Sequence, residues 1–342
     1  MSLLPGCNDV REVVMTRHVA VVLPCFRVKT HILGVIEKIG PEVSSIYVVD
    51  DRCPDSSGDF VLEHCADPRV RVLKNPHNLG VGGAVMAGYK AAIAGGARII
   101  VKVDGDGQMD PRLVPKLITP IVKGRADYCK GNRFYDLEHI RRMPKLRLFG
   151  NAALSLLSKL STGYWSLFDP TNGFTAIDAR VAAHLPMHRM SQRYFFETDM
   201  LFRLNTLRAA VVDVPMDACY GDEVSNLRVG RILPEFLLKH SRNFCKRFFY
   251  NYILRDMSLA SLEFLAGLAM VLFGVVYGGI HWYASATTGE PATSGTIMIA
   301  SLPIISGIQF VLAFFAFDIS SVPSQPIGDL LFDANEQLGA QK

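Results

Sequence analysis

Two uninterrupted apolar stretches, residues 258–284 and 295–317, constrain this chain more than anything else in it. The first carries one formal charge, Glu263; the second carries none, with Pro303 set to kink it. A helix rises about 1.5 Å per residue and a hydrocarbon layer is about 30 Å thick, so each stretch is long enough to cross a bilayer. The polar link 285–294 is short, which predicts a hairpin of two transmembrane helices. Arg242, Lys246, Arg247 and Arg255 precede the first stretch, and the link has neither Lys nor Arg. Positive charge on that side places the N-terminal region and the C-terminus in the cytoplasm. A buried soluble hairpin is the alternative, and two such stretches are unusual in a soluble chain of 342 residues.

The 49% hydrophobic content is therefore concentrated near the C-terminus and does not signal an outsized soluble core. A net charge of +4 gives little support for nucleic acid as a partner, and none is expected. Local basic clusters matter more, because anionic lipid attracts them. In 144–162, Leu146, Phe149, Ala153, Leu156 and Leu160 recur at helical spacing behind Arg141, Arg142, Lys145 and Arg147. In 231–250, Leu233, Leu237, Phe244 and Phe248 form a stripe, with Lys239, Arg242 and Lys246 on another face. Both read as amphipathic helices resting on a membrane, against the plainer reading of core helices with solvated faces. The seven cysteines form no CxxC pair and suggest no zinc site or disulfide framework. No signal-peptide core is expected at the N-terminus.

Upstream, apolar strands alternate with helical segments. His18–Pro24, Ile46–Val49, Val70–Leu73 and 98–103 read as strands; 28–40 and 80–96 read as helical. That alternation favours a largely parallel α/β sheet, whose ligands lie beyond the carboxyl ends of the strands. Asp50 and Asp51 end the second strand, and Asp104 and Asp106 end the fourth. Two carboxylates one residue apart, with Gln108 close by, are hard oxygen donors suited to Mg²⁺ or Mn²⁺ carrying a diphosphate. They point the same way if the strand persists; a turn at Gly105 splays them instead. The Gly80, Gly82 and Gly83 run lacks both the dinucleotide fingerprint and the GKS/T ending of a Walker motif. It permits close approach of backbone to a ligand, or of a helix to the sheet.

The ordered set of segments 21–26, 48–59, 78–84, 103–111, 130–133 and 169–174 resembles membrane-anchored members of glycosyltransferase family 2. The likeness is greatest to polyprenyl-phosphate sugar transferases of the dolichyl-phosphate mannose synthase group. It covers about residues 18–220. It implies a nucleotide-sugar-binding, Rossmann-like domain of GT-A type with amphipathic interfacial helices and a C-terminal two-helix transmembrane hairpin. The domain layout is then a peripheral 1–17, a catalytic 18–230, a juxtamembrane helix 231–257, two spans within 258–317 and a cytoplasmic tail 318–342. The implied reaction is inverting transfer of a sugar from a nucleoside-diphosphate sugar to polyprenyl phosphate, at a membrane containing anionic lipid. A homo-oligomer is compatible with this reading.

The resemblance also implies roles. Pro24 holds the first nucleotide-contacting loop, and Asp50 and Asp51 face the nucleoside. Asp104, Asp106 and Gln108 form the metal trio, with Asp104 also on the nucleotide. Arg133 lies near the transferred phosphates and, with Arg147, receives the acceptor phosphate, and Asn172 and Gly173 line the sugar or acceptor loop. One departure is the acidic segment 220–228, with Asp222 and Glu223 where many relatives carry a basic Gly-x-Ser-Lys. Glu197 and Asp199 are further carboxylates. If the acceptor is a hydroxyl, as in an enzyme extending a glycan, Asp199 is the preferred general base; for a phosphate acceptor the pair orients the donor sugar. A nucleotide-sugar-sensing scaffold without turnover is the reading from another class.

Overall fold

The structure is a computed structural model and describes residues 18–135, 145–169, 172–216 and 229–331; for 145–149 and 229–233 it describes the backbone alone. The chain divides into two compact units, one of residues up to Asn243 and from Pro323 onward, the other of Phe244–Val322.

The first unit is built on a sheet whose strands are β1 (Val19–Cys25), β2 (Ser45–Asp50), β3 (Val70–Lys74), β4 (Ile99–Lys102), β5 (Tyr128–Asn132), β6 (Thr175–Asp178) and β7 (Val211–Pro215). Among the described residues their order is β3-β2-β1-β4-β6-β5-β7. Strands β1 to β4 pair in parallel, as do β5 and β7, but β6 runs antiparallel to both its neighbours. The sheet is therefore mixed, and the expected parallel arrangement holds for its first half. The reversal brings the start of β6 to the edge where β4 ends, since Lys102 lies opposite Thr175.

The helices of this unit are α1 (Ile32–Glu37), α2 (Ser57–His64), α3 (Gly80–Ala94), α4 (Val114–Val122), α5 (Lys145–Thr162), α6 (Ala179–Ala183), α7 (Phe196–Leu207) and most of α8 (Val229–Phe248). Central strands β1 and β2 are apolar almost throughout and buried, as strands covered on both faces must be. The edge strand β3 instead exposes Arg71 and Lys74, charges that discourage pairing with another chain. Glycines let α3 lie close to the sheet: a Cβ on Gly88 would stand 2.3 Å from a Val22 methyl. The N-terminal turn of α3 packs equally tightly, since a Cβ on Gly82 would meet the Ser191 carbonyl at 2.4 Å.

Pro24 ends the β1–β4 ladder. The Val22 carbonyl accepts from Val103 N–H, so by alternation Pro24 faces the same neighbour. It has no N–H to donate, and pairing stops at Val22–Lys102. The chain after β4 is thereby released from the sheet one residue before Asp104.

The second unit holds the end of α8, a π-helical turn Phe249–Arg255, α9 (Leu259–Thr288) and α10 (Ser294–Ser320). Helices α9 and α10, of 30 and 27 residues, are long and apolar enough to cross a membrane. Helix α9 begins one residue inside its expected span and ends beyond it, and α10 extends past its expected span at both ends. Small residues bring the two together: a Cβ on Gly267 would lie 2.8 Å from the Gly307 carbonyl, and one on Gly274 would lie 2.6 Å from that of Ala300. Arg247, expected as a basic juxtamembrane residue, is instead buried in a bidentate pair with Asp318 at 2.6 and 2.9 Å.

The segment expected as a C-terminal tail, 318–342, has described residues to 331. Helix α10 runs to Ser320, and residues that follow Pro323 return to the first unit. There the buried Asp127 carboxylate accepts the N–H groups of Ile327 and Gly328, while Asp329 pairs with Arg180. Asp127 lies at the start of β5, on the opposite edge of the sheet from the end of β4.

Candidate active site

The carboxyl edge of the sheet gathers nearly every residue singled out above. The ends of β1, β2, β4 and β5 meet there with the loop leading into β6. Strand β4 stops at Lys102, and a turn at Gly105–Asp106 with Gly107 at φ +80° follows. The splayed arrangement of Asp104 and Asp106 is thus the one adopted. Asp106 Oδ1 accepts the Gln108 N–H at 3.0 Å, which closes the turn.

Asp104 is held from beneath. Lys102 Nζ lies 2.8 Å from Asp104 Oδ1 and 3.4 Å from Glu197 Oε1. Burial by itself would depress the Lys102 ammonium; Asp104 and Glu197 reverse this and hold it above the ordinary lysine range. Gly173 caps the arrangement. A Cβ there would stand 2.4 Å from Lys102 Nζ and 2.6 Å from Asp104 Oδ2, so no side chain fits.

Asp50 and Asp51 are buried and committed to the backbone. Asp50 accepts from Cys53 N–H at 2.7 Å and from Gly58 N–H at 2.9 Å. Asp51 accepts from Asn75 Nδ2 and Leu79 N–H through one oxygen and from Gly80 N–H through the other. The pair shapes the loop after β2 and satisfies the first N–H groups of α3; Gln192 O takes those of Gly82 and Gly83. The Gly-rich run therefore serves helix packing, and the amides of Gly80, Gly82 and Gly83 are occupied. Three non-glycine residues with left-handed backbones, Arg27, Arg52 and Ser56, lie in the loops after β1 and β2.

On the other side, Arg133 forms a fork with the fully buried Asp169, at 2.8 and 3.2 Å. Asn172 is also buried, donating to Gly131 O and accepting from Phe174 N–H. Beneath it the buried Lys130 ammonium donates to the Asn172 carbonyl. Burial lowers Lys130 to about 8, against the pull of Glu197 and Asp169. Asp213, raised to about 6 chiefly by burial, accepts from Phe168 N–H and Asn132 Nδ2. Phe168 and Asn172 thus each rest on a buried ionisable side chain.

Glu197 and Asp199 separate. Glu197 reaches Lys102, whereas Asp199 is buried and accepts from Ser191 N–H at 2.8 Å, with Arg203 and Asn243 at 3.5 Å. The Arg147 side chain and the segment 220–228, with Asp222 and Glu223, lie outside the described residues. The residues not anticipated are Lys102, Lys130 and Asp213. Lys102 left a signal, a cation inside the apolar run 99–103 that a buried strand tolerates only with a partner.

Among the described residues no group of three His, Cys, Asp or Glu side chains could hold a metal alone. The donor set nonetheless fits a hard divalent cation shared with a ligand. Asp104 and Asp106 offer carboxylate oxygens at an accessible edge, and Mg²⁺ or Mn²⁺ takes its remaining ligands from phosphate and water.

A family model described as glycosyl transferase family 2 matches residues 20–185. The undecaprenyl-phosphate mannosyltransferase of Micrococcus luteus is 32% identical over 218 residues, covering 63% of this chain and 82% of that relative. The chain belongs to glycosyl transferase family 2. A second family 2-like relative, the UDP-N-acetylglucosamine–dolichyl-phosphate N-acetylglucosaminyltransferase of Methanococcus voltae, is 26% identical and covers 58% of this chain and 84% of its own length. Among solved structures, glucosyl-3-phosphoglycerate synthase from Mycobacterium tuberculosis in complex with Mn²⁺, UDP and glucosyl-3-phosphoglycerate matches with a TM-score of 0.52 at 19% identity. That match covers 72% of this chain and 86% of the synthase, and it bears on the fold alone. The family 2 domain here is thus a GT-A type, Rossmann-like sheet, and the protein is a glycosyltransferase.

Proposed function

We propose that this glycosyltransferase moves a sugar from a nucleoside-diphosphate sugar to polyprenyl phosphate, with inversion, releasing nucleoside diphosphate. The observation that carries this reading is the 32% identity, over most of its length, to a relative named for undecaprenyl phosphate. The two long apolar helices suit a lipid acceptor.

In this reading the loops braced by Asp50 and Asp51, with Pro24 at their side, receive the nucleoside. Asp104 and Asp106, with Gln108 nearby, would hold Mg²⁺ or Mn²⁺. Such an ion, when bound, neutralises charge developing on the departing diphosphate. Arg133, kept in one orientation by Asp169, faces the phosphates, and Arg147 takes the acceptor phosphate. Asn172 and Gly173 line the sugar side. A phosphate acceptor is already anionic and needs no strong base, which accords with the burial of Asp199. A hydroxyl acceptor would ask that carboxylate to abandon the Ser191 N–H.

The helices α9 and α10 act as membrane spans in this reading. Residues 327–329 dock on the same unit as the active site, so an even number of crossings is required. Arg242, Lys246 and Arg255 at the near side of α9 favour the cytoplasm for that face, against anionic lipid. The test is direct. Full-length protein in detergent is given a short-chain polyprenyl phosphate, a panel of UDP- and GDP-sugars, and Mg²⁺ or Mn²⁺. A lipid-linked monosaccharide of inverted anomeric configuration is expected. Donor binding without any such product would sink the proposal.

A further inference from the structure

Lys102 occupies the last position of β4, and its side chain is 1% exposed. Its ammonium bridges Asp104 Oδ1 at 2.8 Å and Glu197 Oε1 at 3.4 Å. Gly173 lies beside the pair, since a Cβ there would stand 2.4 Å from Lys102 Nζ and 2.6 Å from Asp104 Oδ2. Asp104 itself is 26% exposed, so its open side faces the carboxyl edge. A carboxylate suited to a divalent cation is thus already paired with a buried cation.

We propose that Lys102 is an internal counter-ion that makes divalent-cation binding at Asp104 conditional on a nucleoside diphosphate. The inference rests on the metal reading above. A fixed positive charge within a few ångströms repels a divalent ion, and does so strongly where water is scarce. The negative charge of a diphosphate offsets that repulsion. Glu197 completes the device: as the cation draws on Asp104, the ammonium keeps a second carboxylate partner and stays in place. Without nucleotide the site releases its cation; with nucleotide it retains it, so cation and diphosphate arrive and depart together. Lys102 is a positioning residue here and touches no reacting atom.

The experiment measures Mn²⁺ binding to the full-length protein in detergent, by the electron paramagnetic resonance of free Mn²⁺, alone and with saturating UDP or GDP. Wild type is expected to bind weakly alone and at least about tenfold more tightly with one of the nucleotides. Lys102→Met should raise the nucleotide-free affinity by about tenfold or more and shrink the nucleotide effect. Because Lys102→Met removes the ion-pair partner of Glu197, the double variant Lys102→Met/Glu197→Gln removes both charges and should show the same gain, with thermal unfolding near that of wild type. Adding Asp104→Asn should abolish the gain. A folded single or double variant whose nucleotide-free affinity is unchanged or weaker overturns the inference, as does wild type that holds Mn²⁺ tightly without nucleotide. Wild type that binds no Mn²⁺ even with UDP or GDP overturns the metal reading along with it.

Discussion

Single side chains at the carboxyl edge divide into those that face the ligand and those that brace the edge. Asp104→Asn and Asp106→Asn each remove an anionic oxygen, and turnover should fall on the order of 100-fold while thermal unfolding moves little. Assays across Mg²⁺ and Mn²⁺ concentrations beside a melting curve check this; near-normal turnover in both variants would refute the assigned role. Gln108→Ala should do less, since water can replace its oxygen. Arg147→Ala should raise the KM for a short-chain polyprenyl phosphate and leave donor binding nearly intact, as titrations of each substrate would reveal. The aspartates were legible in the sequence because an acid after a buried strand is costly without a use. Which way each pointed was not legible. Asp50 and Asp51 read as ligand contacts, yet their oxygens accept from N–H groups of Cys53, Gly58, Leu79 and Gly80, partners fixed by loop closure and invisible in local pattern.

At the level of elements, the ends of β1 to β4 were readable to within a residue or two, because apolar runs bounded by Pro24, Asp50 and Asp104 leave little freedom, whereas β5 to β7 were not picked out. The reversal of β6 was not readable. A four-residue strand, Thr175–Asp178, carries no mark of direction, and only its pairing with β4 and β5 sets it. The glycines of α3 announced a close approach without naming the neighbour, which is Val22 beneath Gly88. Gly88→Ala should therefore destabilise the fold by about 1–3 kcal/mol, read from thermal or denaturant melts. The contact between α5 and α8 has a pH signature. His240, buried against Phe195 and hydrogen-bonded to Ser161, is lowered to about 4 by burial. Its unfolded form takes up a proton near 6.5, so stability contributed by the neutral ring is full above that pH and drains away as pH falls toward 4. His240→Phe should flatten that part of the pH–stability curve; an unaltered acid limb would count against the assignment.

For the molecule as a whole, the two apolar helices could hardly be missed, since their length and lack of charge leave few alternatives. The return of the chain to the first unit was hidden, because it depends on backbone N–H groups, which every residue carries. Asp127→Asn weakens the acceptor for Ile327 and Gly328 and should lower amide-exchange protection there well before β1 or β2 is affected; equal loss in all three would mean general unfolding instead. Asp127 and Ile327 are separated by 200 positions in the chain. A ribosome therefore delivers both hydrophobic helices before it delivers the partner that Asp127 awaits. The glycosyltransferase unit, although nearly all of it is synthesised first, can close this last contact only after the hairpin has been made. Where α9 and α10 act as the proposed membrane spans, completion of the catalytic unit is in this way tied to their synthesis.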